Sequence, residues 1–197
     1  MRKFWILLFC LLLVVPAGAQ AQEKGFVLAE VGLTFAESTN GLFGAQVGVS
    51  VTPNLQVVGT VEYMADVLTG ELTEYLRLIG RVGDANISGK LPATYAGVGL
   101  RYHFMTQGSI QPFVQFEGGM GKTDPQLTII KNGQDITEQV PEATGLEKTN
   151  GAIALSGGIR ANFGERLTSQ FAFKWLNIFT EETLKVNRFD FAIGVRF

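Results

Sequence analysis

The chain has 197 residues, 46% of them hydrophobic, with 16 Lys and Arg against 18 Asp and Glu, one cysteine and one histidine. That length fits one domain, and a formal charge of −2 leaves no basic surplus for nucleic acid. A lone histidine confines any Ser-His or imidazole-metal constellation to one position, His103.

At the N-terminus, Arg2 and Lys3 precede an unbroken apolar stretch from Phe4 to Val15, then Pro16 and small residues with the A-x-A spacing of a signal-peptidase site. The stretch is shorter than the roughly 17 to 25 residues of a transmembrane helix. Residues 1–21 are therefore expected to be an export signal, cut after Ala19 or Ala21, and 22–197 the mature domain. Cys10 follows Phe9 inside the apolar run, where lipoprotein processing wants a small residue. Lipidation is not expected, and the mature domain has no thiol for a disulfide.

From residue 25 onward apolar side chains recur with period two in eight segments of about ten residues, the length of a tilted membrane strand. Segment 25–36 sets Val27, Val31, Leu33 and Phe35 against Glu30, Gly32 and Thr34; 42–52 sets Phe43, Ala45, Val47, Val49 and Val51 against Gln46, Gly48 and Ser50. Segment 55–65 sets Leu55, Val57, Val61 and Tyr63 against Gln56, Thr60 and Glu62; 94–105 sets Ala96, Val98, Leu100, Tyr102 and Phe104 against Tyr95, Gly97, Gly99, Arg101 and His103. In 112–122, Val114, Phe116 and Met120 oppose Gln115, Glu117, Gly119 and Gly121; in 151–163, Ile153, Leu155, Ile159 and Phe163 oppose Ala154, Ser156, Gly158, Arg160 and Asn162. In 167–178, Phe171, Phe173 and Trp175 oppose Gln170, Ala172 and Lys174. The last segment, 186–197, has Phe189, Phe191, Ile193, Val195 and Phe197 on one face and Arg188, Asp190, Ala192, Gly194 and Arg196 on the other.

Alternation alone suits a soluble ligand-binding barrel as well as a membrane one. Three features favour the membrane: aromatic residues at the ends of the apolar faces, small residues on the polar faces, and sorted loops. An eight-stranded interior is only wide enough for side chains to fill, so Phe171, Phe173, Phe189 and Phe191 would overfill it. The connections near 53–54, 106–111 and 164–166 are short and fall at one end, whereas 37–41, 66–93, 123–149 and 180–185 fall at the other. Short inner turns and long outer loops are the habit of outer-membrane barrels. The expected fold is all-β: an eight-stranded antiparallel up-and-down transmembrane β-barrel in the bacterial outer membrane.

The chain resembles the small eight-stranded outer-membrane barrels of the outer-membrane-protein A and X type. The resemblance rests on the pattern, on Pro112, Phe113 and Val114 leading through Gly118, Gly119 and Gly121, on the run Gly97-Val98-Gly99-Leu100-Arg101-Tyr102-His103-Phe104, and on Phe197. It implies that Phe189, Phe191, Ile193, Val195 and Phe197 form a C-terminal signal read by the barrel-assembly machinery. With the strand ending at Phe197, an attached peptidoglycan-binding domain is not expected.

Glu30, Glu62, Arg101, Glu117, Arg160, Lys174, Asp190 and Arg196 share the inward parity, four of each sign, and are expected to form a lumenal charge network that fills the barrel. Pairing Met105 with Phe113 would set Arg101 opposite Glu117 as an ion pair. Residues 118–123, Gly-Gly-Met-Gly-Lys-Thr, suggest a phosphate loop, but Phe116 stands where its first glycine belongs and Asp124-Pro125 where its helix would start. Ser50 is the one inward neighbour at the level of His103, with no activating carboxylate evident, so no catalytic role is expected. No cofactor-binding or metal site is expected either. Asn132-Gly133 between Leu127–Ile130 and Gln134–Thr137 predicts a tight hairpin. Tyr75, Leu76, Leu78 and Ile79 make loop 66–93 unusually apolar; with 123–149 it either binds a cell-surface partner or extends the barrel wall. Asn86-Ile87-Ser88 matches a glycosylation sequon by chance. The function read here is structural support of the envelope or surface interaction, with lipids as neighbours; a small pore is the alternative, ahead of a lipid A-modifying enzyme and a soluble barrel.

Overall fold

The computed structural model describes residues 24–35, 39–67, 74, 86–106, 108–131, 134–135, 148–180 and 183–197. The expected export signal, residues 1–21, the apolar residues at 75–79 and the Asn132-Gly133 turn lie outside them. Among the described residues the elements are β1 (Gly25–Phe35), β2 (Thr39–Ser50), β3 (Leu55–Met64), β4 (Asn86–Lys90), β5 (Ala93–His103), β6 (Ile110–Thr123), β7 (Gln126–Lys131), β8 (Gln134–Asp135), β9 (Lys148–Phe163), β10 (Leu167–Ile178) and β11 (Leu184–Arg196). Eight of them close into one antiparallel barrel in the order β1-β11-β10-β9-β6-β5-β3-β2. The eight alternating segments of the sequence are these eight strands.

The first and last strands make the seam, with Phe26 opposite Arg196 through to Phe35 opposite Asn187. The Phe197 carbonyl accepts from the amides of Lys24 at 2.6 Å and Gly25 at 3.0 Å, and its own amide donates to the Gly25 carbonyl at 3.0 Å. Closure leaves no strand edge to face hydrocarbon with unpaired amides. The chain turns back after β2, β5 and β9 at the short-turn end; Gly164, at φ +63°, takes the left-handed conformation that glycine adopts at no steric cost. The long connections lie at the other end.

Those long connections are not independent. β4, from the first, pairs with β7, from the second, with Asn86 opposite Ile130 and Lys90 opposite Gln126. β7 and β8 form the expected hairpin arms, with Lys131 opposite Gln134. The result is a three-stranded sheet, β4-β7-β8, above the barrel.

The apolar parity faces outward, and Val98 and Ile193 are 64% and 49% exposed on the barrel wall. Phe189 anchors an outer aromatic cluster, its ring 5.4, 5.7 and 5.3 Å from those of Phe35, Phe171 and Phe173. Aromatic pairs also mark the two rims: Tyr102 with Phe104 toward the short-turn end and Phe43 with Tyr63 toward the other. Such girdles fit the two faces of a bilayer.

One expected register is corrected. His103, not Met105, stands opposite Phe113, so Arg101 faces Gln115 and Glu117 faces Gly99. A slip of two residues preserves which side chains point inward, so alternation cannot distinguish the two pairings. Packing chooses: in the observed register the Arg101 guanidinium lies 4.8 Å from the Phe26 ring and 4.5 Å from that of Phe113.

Candidate functional site

The lumen is layered along the barrel axis. Nearest the long loops, Leu42, Met64, Val67, Leu91, Leu176, Ile178, Leu184 and Val186 point inward and pack together. All but Val67, which lies beyond the end of β3, keep the inward parity, a departure from the face of polar or small residues expected of the sequence. Tyr95 lies beneath them. Its ring folds over Gly97, where an added Cβ would sit 2.0 Å from the phenol oxygen; only a glycine admits it.

Next comes a charged layer. Lys174 Nζ lies 2.5 Å from Glu62 Oε1 and 3.2 Å from Glu117 Oε2. The Arg188 guanidinium pairs with the other Glu62 oxygen, and its Nε donates to Asp190 Oδ2 at 3.2 Å. The Thr60 hydroxyl donates to Glu117 Oε1 at 2.5 Å. The register explains the convergence, because Lys174 stands opposite Arg188 and Ala172 opposite Asp190 on neighbouring inward positions. Glu30 joins from β1. Every charged side chain named in this layer is buried.

Toward the short turns the chemistry changes. Arg101 donates from Nε to Gln115 Oε1 at 2.7 Å and from a terminal nitrogen to Gln46 Oε1 at 2.6 Å. Arg160 donates to the Thr168 hydroxyl at 2.8 Å and lies 4.8 Å from the Phe26 ring. That ring is accommodated by Gly48 directly opposite, where a Cβ would fall 2.2 Å from it. His103 Nε2 is 3.1 Å from Gln56 Oε1.

Of the eight charged residues singled out by parity, the structure brings Glu30, Glu62, Glu117, Lys174 and Asp190 into one cluster and sets Arg101 and Arg160 in the adjoining layer. Arg196 is at the rim instead, donating to the Gly164 carbonyl at 2.5 Å in an exposed position. Arg188, left out of the expected network, is at its centre. Its signal was present, since it precedes Asp190 by two on the same inward parity. Glu117 pairs with Lys174 and Thr60, which corrects the expected Arg101–Glu117 ion pair. The Gly-Gly-Met-Gly-Lys-Thr stretch is the end of β6 in extended conformation, with Lys122 exposed at the long-loop rim. Phe189, Phe191, Ile193, Val195 and Phe197 all face outward, exposed along one stripe of the barrel's last strand.

Known proteins agree with this architecture. The chain is similar to the N-terminal β-barrel domain of Pseudomonas aeruginosa OprF, at 14% identity and a TM-score of 0.54 over 90% of this chain and 100% of that one. It is similar to neisserial surface protein A at 11% identity, with a TM-score of 0.57 over 90% and 98% of the two chains. It is similar also to Ail, the attachment invasion locus protein of Yersinia pestis, at 10% identity and a TM-score of 0.54 over 90% and 100%. At such identities the likeness is one of fold. No curated protein sequence matches the chain significantly. The sequence model of the outer membrane protein β-barrel domain matches residues 7–197. The chain thus belongs to the outer membrane protein β-barrel domain family and is a protein of the bacterial outer membrane.

Proposed function

We propose that the protein is a closed, non-catalytic barrel that supports the envelope and carries a preformed β-sheet for interaction at the cell surface. The observation that carries this reading is the stacked lumen: Met64, Leu176, Ile178 and Val186, all at 0% exposure, lie over the buried ion pairs. Water and ions entering from the long-loop end would have to cross an apolar layer and then a paired one. In outer-membrane barrels that end faces outward, so the β4-β7-β8 sheet stands outside the cell. Cross-linking two loops into a sheet lowers the entropy a binding partner must remove. The Yersinia pestis protein is named for attachment and invasion and the neisserial one as a surface protein, but the surface role proposed for this chain rests on its own sheet.

A non-catalytic lumen is supported by Gln56, which intervenes between the two candidate catalytic groups: its Nε2 donates to Ser50 Oγ at 3.2 Å and its Oε1 faces His103. Planar-bilayer recording of the purified barrel tests the proposal. It should give no discrete current steps; reproducible steps would replace the closed barrel with a small pore.

A further inference from the structure

Glu30 is 1% exposed, and among the described residues no nitrogen or hydroxyl donates to either of its side-chain oxygens. Asp190 lies within hydrogen-bonding reach of it, and with both groups ionised the pair would have no donor to share. Asp190 Oδ2 is engaged by Arg188, while Oδ1 receives no nitrogen or hydroxyl donor among the described residues. Glu62 completes the group: one oxygen from each of Glu30, Glu62 and Asp190 lies within 4.8 Å of the others.

Missing side chains make the space in which they meet. Gly44 stands between Glu30 and Glu62 in the strand register, and a Cβ there would lie 2.8 Å from Glu62 Cγ. Gly32 stands opposite Asp190, and a Cβ there would lie 2.7 Å from Oδ1. Lys174 and Arg188 direct their charge to Glu62, Glu117 and Asp190. Among the described residues the layer therefore holds four carboxylates against two cationic groups. Buried charge without compensation is strongly unfavourable.

We propose that Glu30, Asp190 and Glu62 hold one hard divalent cation of Ca²⁺ size inside the barrel. An all-oxygen donor set selects hard ions. Mg²⁺ demands near-octahedral geometry and sheds its waters reluctantly, so a dry site of protein carboxylates suits the more adaptable Ca²⁺. Three carboxylate oxygens that all lie within 4.8 Å of one another can share one ion. A double positive charge equals the excess of acids over bases in the layer. Arg188 and Lys174 hold the liganding carboxylates in place, as outer-shell partners do. The apolar layer above makes the ion a component acquired during folding and slow to leave.

The test measures metal in folded barrel purified in detergent, then unfolds it in urea with a chelator and refolds it with or without Ca²⁺. Wild type should retain roughly one Ca²⁺ per chain, and its urea midpoint should rise when Ca²⁺ is present during refolding. Tb³⁺ replacing Ca²⁺ should luminesce on excitation of Tyr95, whose ring lies 5.8 Å from Lys174 Nζ beside the site. Glu30→Gln and Asp190→Asn should still show the heat-modifiable mobility of a folded barrel while losing both the metal and the Ca²⁺-dependent midpoint; Glu117→Gln should keep both. Wild type without bound metal and with the same midpoint in Ca²⁺ and chelator would overturn the proposal, leaving a proton shared between Glu30 and Asp190. Undiminished metal in folded Glu30→Gln would also overturn it. If the variants do not fold, the wild-type comparison decides alone.

Discussion

The two halves of the lumen bury charge in different ways. Toward the long loops, Lys174 and Arg188 are matched directly by Glu62, Glu117 and Asp190. Toward the short turns, Arg101 is received by two glutamine oxygens and stacked against Phe26 and Phe113. The first arrangement is strong only while complete, because removing one partner strands an ion in a dry interior. The partners described for the second are neutral, and loss of the cation leaves amides and rings that tolerate burial better. An eight-stranded barrel can thus hold a rigid polar core with two distinct sensitivities to mutation.

That contrast is sharpest at Arg188. Arg188→Leu should destabilise the barrel by about 3 to 5 kcal/mol, by leaving Glu62 and Asp190 under-compensated, as read by urea unfolding in lipid through Trp175 fluorescence. An effect under about 1 kcal/mol, the range of an exposed pair, would mean that water reaches the charged layer. On the outer wall, arginine at Val98 or Ile193 should cost roughly 2 to 4 kcal/mol near the bilayer midplane in the same assay. Labelling of cysteines at 98 and 193 by water-soluble reagents should fail in lipid. In the aromatic half, Gly48→Ala should cost about 1 to 3 kcal/mol by displacing the Phe26 ring, detectable as a lowered urea midpoint with an unchanged m-value. The smallest effect separates the two registers of the β5–β6 hairpin. A double-mutant cycle of Arg101→Leu and Glu117→Leu should show coupling within about 0.5 kcal/mol, as expected for side chains engaged in different layers of the lumen; strong coupling would restore the pairing of Met105 with Phe113.

Strand number, inward parity and loop sorting were legible because a half-buried strand writes its two faces into alternate residues. Three things were not. Register modulo two residues leaves no trace in that pattern, so the partners of Arg101 and Glu117 waited on the packing of Phe26 and Phe113. The apolar inward layer of Leu176, Ile178, Leu184 and Val186 was hidden because a two-letter pattern assigns every apolar side chain to lipid, whereas the lumen has its own change of polarity along the axis. The β4–β7 pairing joins segments separated by a whole hairpin, and Asn86–Lys90 carries little local signal for a strand. For the site, the composition of the charged layer was readable in all but Arg188, but its geometry depended on which glycines, Gly32 and Gly44, stood beside the carboxylates.

The seam between β1 and β11 also constrains the order of events in biogenesis. The barrel strand made first has as its final neighbour the barrel strand made last, so one of its edges must be shielded until all the strands between them have been delivered. Loop-closure entropy for that contact is the largest in the molecule, and its reward comes only when Phe197 docks on Lys24 and Gly25. Removal of Phe197 should therefore slow accumulation of folded protein in a pulse-chase experiment while leaving export intact; an unchanged rate would show that the ring is sealed without it. A cell making this protein needs a surrogate edge for β1, held until the terminal strand arrives to release it.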